Sequence, residues 1–380
     1  MTLLFNSHGR LGLIDKDGFN ERYLSFDIPN QVSWSYGPQF ADRRRMILVS
    51  YEEGNTWEGN VQTHLWLYDR VKDQIIEEIA TQNKPTPFMV CSGIIPGEER
   101  IFANPIIDGE QRVWTMNLDG SDPREVTRAG DGFTYCALLS PSAQKLAFHA
   151  TMIPSRPGYR IFTADPDGGN RTELAGDPDH LYFGPMWSPD SRWLVYLDCH
   201  HTNDPGHDWA DLCLGRPDGS EHRVVTSEQR HWFATSYGGP ETRGGGSNMA
   251  YWSPGGRSVT FTRASEGART AWPYQPQRSD QDHFNREYYP EYARGGTQIC
   301  LLNPFTGDIA ELTPYQEHVW DFRTAWSPDG AEMAFCRALV GEPSGLWIMD
   351  ADGRNQKLLT KGLEEKGVDH PVWVQGDENA

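Results

Sequence analysis

The chain contains no run of eighteen apolar residues, so no segment reads as a membrane-spanning helix. Its six cysteines, Cys91, Cys136, Cys199, Cys213, Cys300 and Cys336, include no CxxC pair. That excludes the usual spacing of a structural zinc or redox dithiol site and points to free, buried thiols. Positive charge is scarce as well: 34 Lys and Arg stand against 53 Asp and Glu, for a formal net charge of −19. Such a chain repels a nucleic-acid backbone and an anionic membrane, so neither is expected as a partner, and an acidic ligand must meet locally clustered Arg or Lys. The opening "MTLLFNSHGRLGLIDKDG" has neither the basic start nor the apolar run of a secretory signal, and the expectation is a cytoplasmic protein. Turn formers, by contrast, are abundant: 38 glycines and 26 prolines among 380 residues favour many turns over long helices.

What is present is a repeat. The phrases "WSPDSRWLVYLD" (187–198), "WSPGGRSVTFTR" (252–263) and "WSPDGAEMAFCR" (326–337), with the weaker "LSPSAQKLAFHA" (139–150), each read as a tight turn followed by an alternating strand. Downstream of these lie hairpin phrases such as "MNLDGSDPREVT" (116–127), "TADPDGGNRTEL" (163–174) and "MDADGRNQKLLT" (349–360). Their first turn residues fall at 15, 68, 117, 165, 216, 303 and 350. Most steps are 47 to 53 residues and one is 87, which marks an insertion. A unit of this length, with four short strands and a DG-type turn closing the outer pair, fits a β-propeller blade. The expectation is an all-β fold, a single seven-bladed β-propeller over 1–380, with an insertion at about 264–296. The first hairpin comes too early for a full blade and the chain ends in the lone strand "VDHPVWV" (368–374), so N- and C-terminal strands are expected to share one blade and close the ring.

In such a blade the start of the first strand and the end of the second share a face. That places His180, Tyr182, Arg243, Asn248, His318, Trp320, Arg323 and His370 at strand starts, and His8, His149, His200, His201, Arg263 and Arg337 at strand ends, around one mouth. The insertion, rich in Tyr, Trp and Arg, belongs on the same face as a wall or lid. Aromatic rings stack on sugars, Arg forks bind carboxylates, and His serves as base or metal ligand, so the mouth suits an anionic carbohydrate. The competing reading is structural: aromatic residues in propeller strands pack between blades, and isolated histidines satisfy hydrogen bonds. In "YLDCHHTNDPGHDWADLCLG" (196–215), strand alternation favours His201 over His200 as the residue facing the mouth. The glycine-rich "RGGGS" (243–247) has no strand–loop–helix context and no following Lys, so no nucleotide or organic cofactor is expected. "SYGGP" (236–240) lacks a nucleophile elbow.

Across nearly its whole length the repeat resembles the TolB-type propeller, whose signature is the "WSPDG" turn. Within that group the His-rich channel and the segment 180–215, with "DCH" before a loop holding Pro, Gly and His, are similar to the oligogalacturonate lyases. The resemblance implies β-elimination on uronic-acid oligomers with a divalent metal, manganese, held by histidines and a glutamine. It implies His201, His318 and His370 as metal ligands, with His201, His180 and Tyr182 as catalytic candidates. Arg243, Arg323, Arg263, Trp320 and Asn248 would bind substrate. The chain departs from the family in reading "VDHPVWV" where a His-Pro-His-Pro run stands, with Val368 at one of its positions. Asn248 and Met249 stand where the family's catalytic His precedes a turn, and Arg323 stands at another ligand His. Two functions stay open: a lyase acting on an acidic oligosaccharide, or a noncatalytic propeller binding a glycan or protein through the same mouth.

Overall fold

The protein is described from a computed structural model, which covers residues 1–28, 30–32, 44–51, 63–79, 93–95, 98–107, 110–151, 153, 158–199, 208–275 and 286–374. The turn phrases of the sequence become repeated hydrogen-bond motifs. In the WSPD copies the serine hydroxyl donates to the following aspartate and accepts a backbone N–H five residues on. Ser188 Oγ lies 2.6 Å from Asp190 Oδ1 and 3.0 Å from Trp193 N. Ser327 Oγ repeats this at 2.6 Å to Asp329 Oδ1 and 2.9 Å to Glu332 N. The fourth residue after the Trp is left-handed, as Gly256 (φ 66°) and Gly330 (φ 70°) allow without strain; Ser191 (φ 60°) and Ala143 (φ 58°) adopt it without that freedom.

Two tryptophans of the phrase, Trp187 and Trp252, and Trp373 of the terminal strand tie neighbouring four-stranded ladders together, whereas the Trp326 indole N–H makes no such bond. Trp187 Nε1 donates to Leu138 O at 2.9 Å, Trp252 Nε1 to Met186 O at 3.0 Å, and Trp373 Nε1 to Ala325 O at 2.9 Å. Each acceptor sits in the first strand of the preceding four-stranded ladder. A buried indole without such a partner would cost about 1–3 kcal/mol, so the repeat encodes sheet-to-sheet stacking as well as a turn. The outer hairpins close as the spacing requires. Gly18, Gly120, Gly168, Gly219 and Gly353 donate their N–H to the carbonyls of Asp15, Asn117, Asp165, Arg216 and Asp350 at 2.8 to 3.0 Å.

These pieces build an all-β propeller. Five four-stranded antiparallel sheets stand alone, and a nine-stranded one contains two further four-stranded ladders joined through the short strand His231–Trp232. The first of these ladders begins with Tyr182–Trp187 and Leu194–Asp198, the second with Tyr251–Trp252 and Val259–Ala264. The terminal strand Asp369–Val374 pairs with Thr2–Ser7 in the sheet that also holds Arg10–Asp15 and Arg22–Tyr23, so the two ends of the chain share one sheet as expected. The core lies between adjacent sheets. Leu138, Ala147 and Ile161 of one pack on Tyr182, Leu194, Tyr196 and Cys213 of the next. Cys199, Cys213, Cys300 and Cys336 are free and buried. Among the described residues no helix is long and apolar enough to cross a membrane.

First strands carry a second recurring irregularity three residues before the Trp. Gly184 (φ 58°), Arg323 (φ 55°) and His370 (φ 50°) are all left-handed there. All three break the register with the paired strand, between Phe183 and Met186, between Phe322 and Ala325, and between Asp369 and Val372. Glycine takes this conformation freely; Arg and His are held in it by their surroundings.

Candidate functional site

The first polar cluster forms at the start of the strand Tyr182–Trp187. Tyr182 pairs with Asp198 across the ladder, and the Cys199 N–H donates to Leu181 O at 2.9 Å, which brings His180 against the end of the second strand. His180 Nδ1 lies 2.7 Å from Asp198 Oδ2. The carboxylate has no exposed surface, whereas the imidazole is 29% exposed. With Nδ1–H donated to Asp198, a neutral imidazole presents Nε2 as its basic atom. Tyr182 stacks on the His180 ring at 5.6 Å and 9°. Burial, with Asp198 nearby, raises the Tyr182 hydroxyl far above the ordinary phenol range. Tyr182 therefore keeps its proton, and it lies stacked on the His180 ring. Tyr196 packs edge-on against Tyr182, and its hydroxyl bonds His222 Nδ1.

The second cluster joins three segments: the strand Val319–Trp326, the strand Asp369–Val374 and the hairpin of Ala234–Tyr237 with Gly244–Ser247. Arg323 Nε donates to Asp369 Oδ1 at 2.9 Å, Nη1 to Ser247 O, and Nη2 to Gly245 O at 3.4 Å. Tyr237 donates its hydroxyl to Asp369 Oδ2, and His370 N donates to Asp369 Oδ1 at 2.8 Å. His370 Nδ1 is 3.3 Å from the same Oδ1. Arg323 is only 2% exposed. Burial pushes the His370 imidazole down to about 4. Burial opposes ionisation of Asp369, but Arg323, His370 and Tyr237 outweigh it and hold the carboxyl below its usual range.

Several expected site residues prove to be part of the framework. Asn248 is buried, accepts the Arg323 N–H at 3.1 Å, and donates to Trp232 O at 2.9 Å and Thr262 Oγ1 at 3.2 Å. With its amide committed to these internal bonds it has no group to offer a substrate, contrary to expectation. Trp320 is buried against Trp232 at 4.8 Å rather than open as a sugar platform. Arg263 reaches outward along its sheet to pair with Glu311 and does not join the cluster. Arg323 is consumed by internal acceptors, so it too is not a substrate fork. Arg243 differs: it is exposed, and its guanidinium lies 4.3 Å above the Trp272 ring.

The metal set expected from the sequence is not assembled among the described residues. His318 is half-exposed at the strand start, with its Nε2 3.9 Å from Glu317. It stands five positions before Arg323, about 16 Å along a strand. His201 and His200 lie outside the described residues. Among the described residues no three His, Cys, Asp or Glu side chains converge on a common point. At His370 a cation would face the Arg323 guanidinium, and Asp369 is already bonded to three donors. The residues present do not fit a divalent ion at this centre.

Of the insertion, 264–275 and 286–296 are described, and both ends are anchored. Trp272 Nε1 donates to Gly238 O at 2.9 Å, and Arg286 Nη1 to Trp272 O at 2.8 Å. Arg286 Nη2 pairs with Asp208 Oδ1 at 2.5 Å, with the arginine side chain fully buried. Asp198, Asp369 and Tyr237 were missed by sequence reasoning. The two acids stand beside named histidines, in "LDCHH" and "VDHP", and that adjacency was the available signal.

No protein-family model matches the chain, and no curated protein matches it. Solved structures do. An oligogalacturonate lyase from Vibrio parahaemolyticus superposes with a TM-score of 0.57 at 16% identity, covering 95% of this chain and 85% of that one. An oligogalacturonate lyase in complex with manganese gives 0.56 at 14%, covering 94% and 84%. The β-propeller domain of the Trilobed protease from Pyrococcus furiosus gives 0.54 at 10%, covering 92% and 86%. What the chain shares with all three is the β-propeller fold over nearly its whole described length.

Proposed function

We propose that the chain is a single seven-bladed propeller, its nine-stranded sheet counting as two blades, and an enzyme that cleaves uronic-acid-containing oligosaccharides by β-elimination. The observation that carries this reading is the His180–Asp198 pair, a partly exposed imidazole oriented by a buried carboxylate at 2.7 Å. A base so held can abstract a weakly acidic proton. His180 Nε2 takes the proton α to the uronate carboxylate, the electron pair forms the ring C=C bond, and the C–O bond to the leaving sugar breaks, with its oxygen protonated by water. Asp198 stabilises the imidazolium that results. Arg243, exposed with its guanidinium over the Trp272 ring, would pair with the substrate carboxylate. The anchored insertion walls the mouth, His201 is kept from the sequence as a second base candidate, and no step is routed through a metal. Free buried thiols support a reducing, cytoplasmic location.

The test is a panel of polygalacturonate, alginate and glucuronan oligomers followed by the ultraviolet absorbance of unsaturated product. Turnover that vanishes in His180→Ala supports the reading; no product from any member sinks it. The second reading, a noncatalytic glycan-binding propeller, draws on the burial of Arg323 and Asp369 in a mutual ion pair, which leaves neither for chemistry. Under it the same oligomers raise the melting temperature without being cut.

A further inference from the structure

The Arg323 cluster poses a question independent of that activity. Two backbone carbonyls, Gly245 O and Ser247 O, and the Asp369 carboxylate all point at one place, although each belongs to a segment that could have bonded elsewhere. Oxygen acceptors converging from separate segments are the usual surroundings of a bound cation. Here the place is filled by a guanidinium delivered from a left-handed residue in the strand Val319–Trp326. That conformation is costly for Arg, and it persists because the backbone N–H is held by Asn248 Oδ1 at 3.1 Å while the side chain is held on the other side by Asp369.

We propose that Arg323 is the resident cation of this centre. Its side chain occupies, as a covalently attached charge, the position where acceptor oxygens of the hairpin and the terminal strand meet, and so makes the centre independent of a divalent ion and closed to one. The consequence is specific. The planar fork satisfies Asp369 and both carbonyls simultaneously, which a Lys ammonium can do only in part, as a compact point charge. Removing the charge leaves the two carbonyls and the Asp369 carboxylate, with the His370 imidazole beside that carboxylate, without their cation, a set of O and N donors that Mn2+ accepts.

The experiment uses the full chain, dialysed against MnCl2, gel-filtered and measured for bound metal by mass spectrometry, with melting temperature followed in parallel. The wild type is expected to carry no manganese at this centre and to melt at the same temperature with or without it. Arg323→Gln is expected to melt lower, to take up close to stoichiometric Mn2+, and to recover part of its melting temperature in Mn2+. Arg323→Lys, which keeps the charge, is expected to stay metal-free. Manganese in the wild type that is lost in His370→Ala overturns the assignment; manganese that survives His370→Ala is bound away from this centre and leaves it standing. A folded Arg323→Gln chain that ignores Mn2+ also overturns it. If that variant does not fold, the wild type and Arg323→Lys decide: metal-free wild type with a folded, metal-free Lys variant upholds the assignment, and Mn2+ uptake by the Lys variant overturns it.

Discussion

Asn248 and Arg323 are 75 residues apart in the sequence and meet through a buried hydrogen bond, the Arg323 N–H to Asn248 Oδ1 at 3.1 Å. The other end of the same amide donates to Trp232 O and Thr262 Oγ1, so one side chain joins neighbouring sheets around the polar centre. Asn248→Ala leaves the Arg323 N–H buried without this acceptor, and a loss of about 1–3 kcal/mol in unfolding free energy is expected from that alone. Urea unfolding measures it. A loss within error would mean that the amide is replaceable and that Arg323 is positioned from its side chain only.

How far the sequence could be read follows from these same residues. Turns are local, so "WSPDG" and the DG hairpins announced their hydrogen bonds and, through the 47- to 53-residue step, the propeller. Which strand ends share a face was also legible. Depth was not. Asn248 and Trp320 lie at the expected end of their sheets but are buried by neighbours distant in sequence. The left-handed kinks at Arg323 and His370 turn side chains in a way that strict alternation does not foresee. A set of histidines therefore looked convergent, whereas the centre is built from Tyr237, Arg323 and Asp369.

Three buried histidines make stability depend on pH. Burial lowers His149 to about 3 and His231 to about 4, the latter against two backbone hydrogen bonds that raise it, and His370 to about 4. In the unfolded chain each titrates near 6.5. Between 6.5 and the folded value the unfolded state binds protons that the folded state refuses. Each histidine thus costs stability as pH falls through that window, about 1.4 kcal/mol per pH unit, and has no effect above it. Melting temperatures should fall steadily from pH 6.5 to 5. In His149→Leu, which removes one of the three, the slope should become shallower. An unchanged slope in that variant would show that His149 does not contribute.

The Asp208–Arg286 pair ties the insertion to the strand Trp209–Gly215. Breaking a buried pair by removing one partner strands the other charge, with a typical cost of about 3–5 kcal/mol. Arg286→Met and Asp208→Asn should each increase proteolysis within the insertion. The double variant Asp208→Asn, Arg286→Met should be more resistant than either single one, because no charge is left uncompensated. Equal susceptibility in all variants and the wild type would mean that Trp272, through its bond to Gly238 O, anchors the insertion without help.

Asp198 offers the sharpest separation of catalysis from folding. It is fully buried, it is not expected to touch substrate, and its bond to His180 fixes which imidazole nitrogen is basic. Asp198→Asn keeps the volume and can still bond Nδ1, but the amide oxygen does not stabilise an imidazolium as the carboxylate does, and the amide nitrogen selects the other tautomer. On a substrate that the wild type cleaves, kcat should drop about 10²-fold or more, with KM nearly constant, since only the proton-transfer step is touched. A kcat held within a factor of a few, with the fold intact by circular dichroism, would remove His180 as the base and leave His201 to be tested in its place.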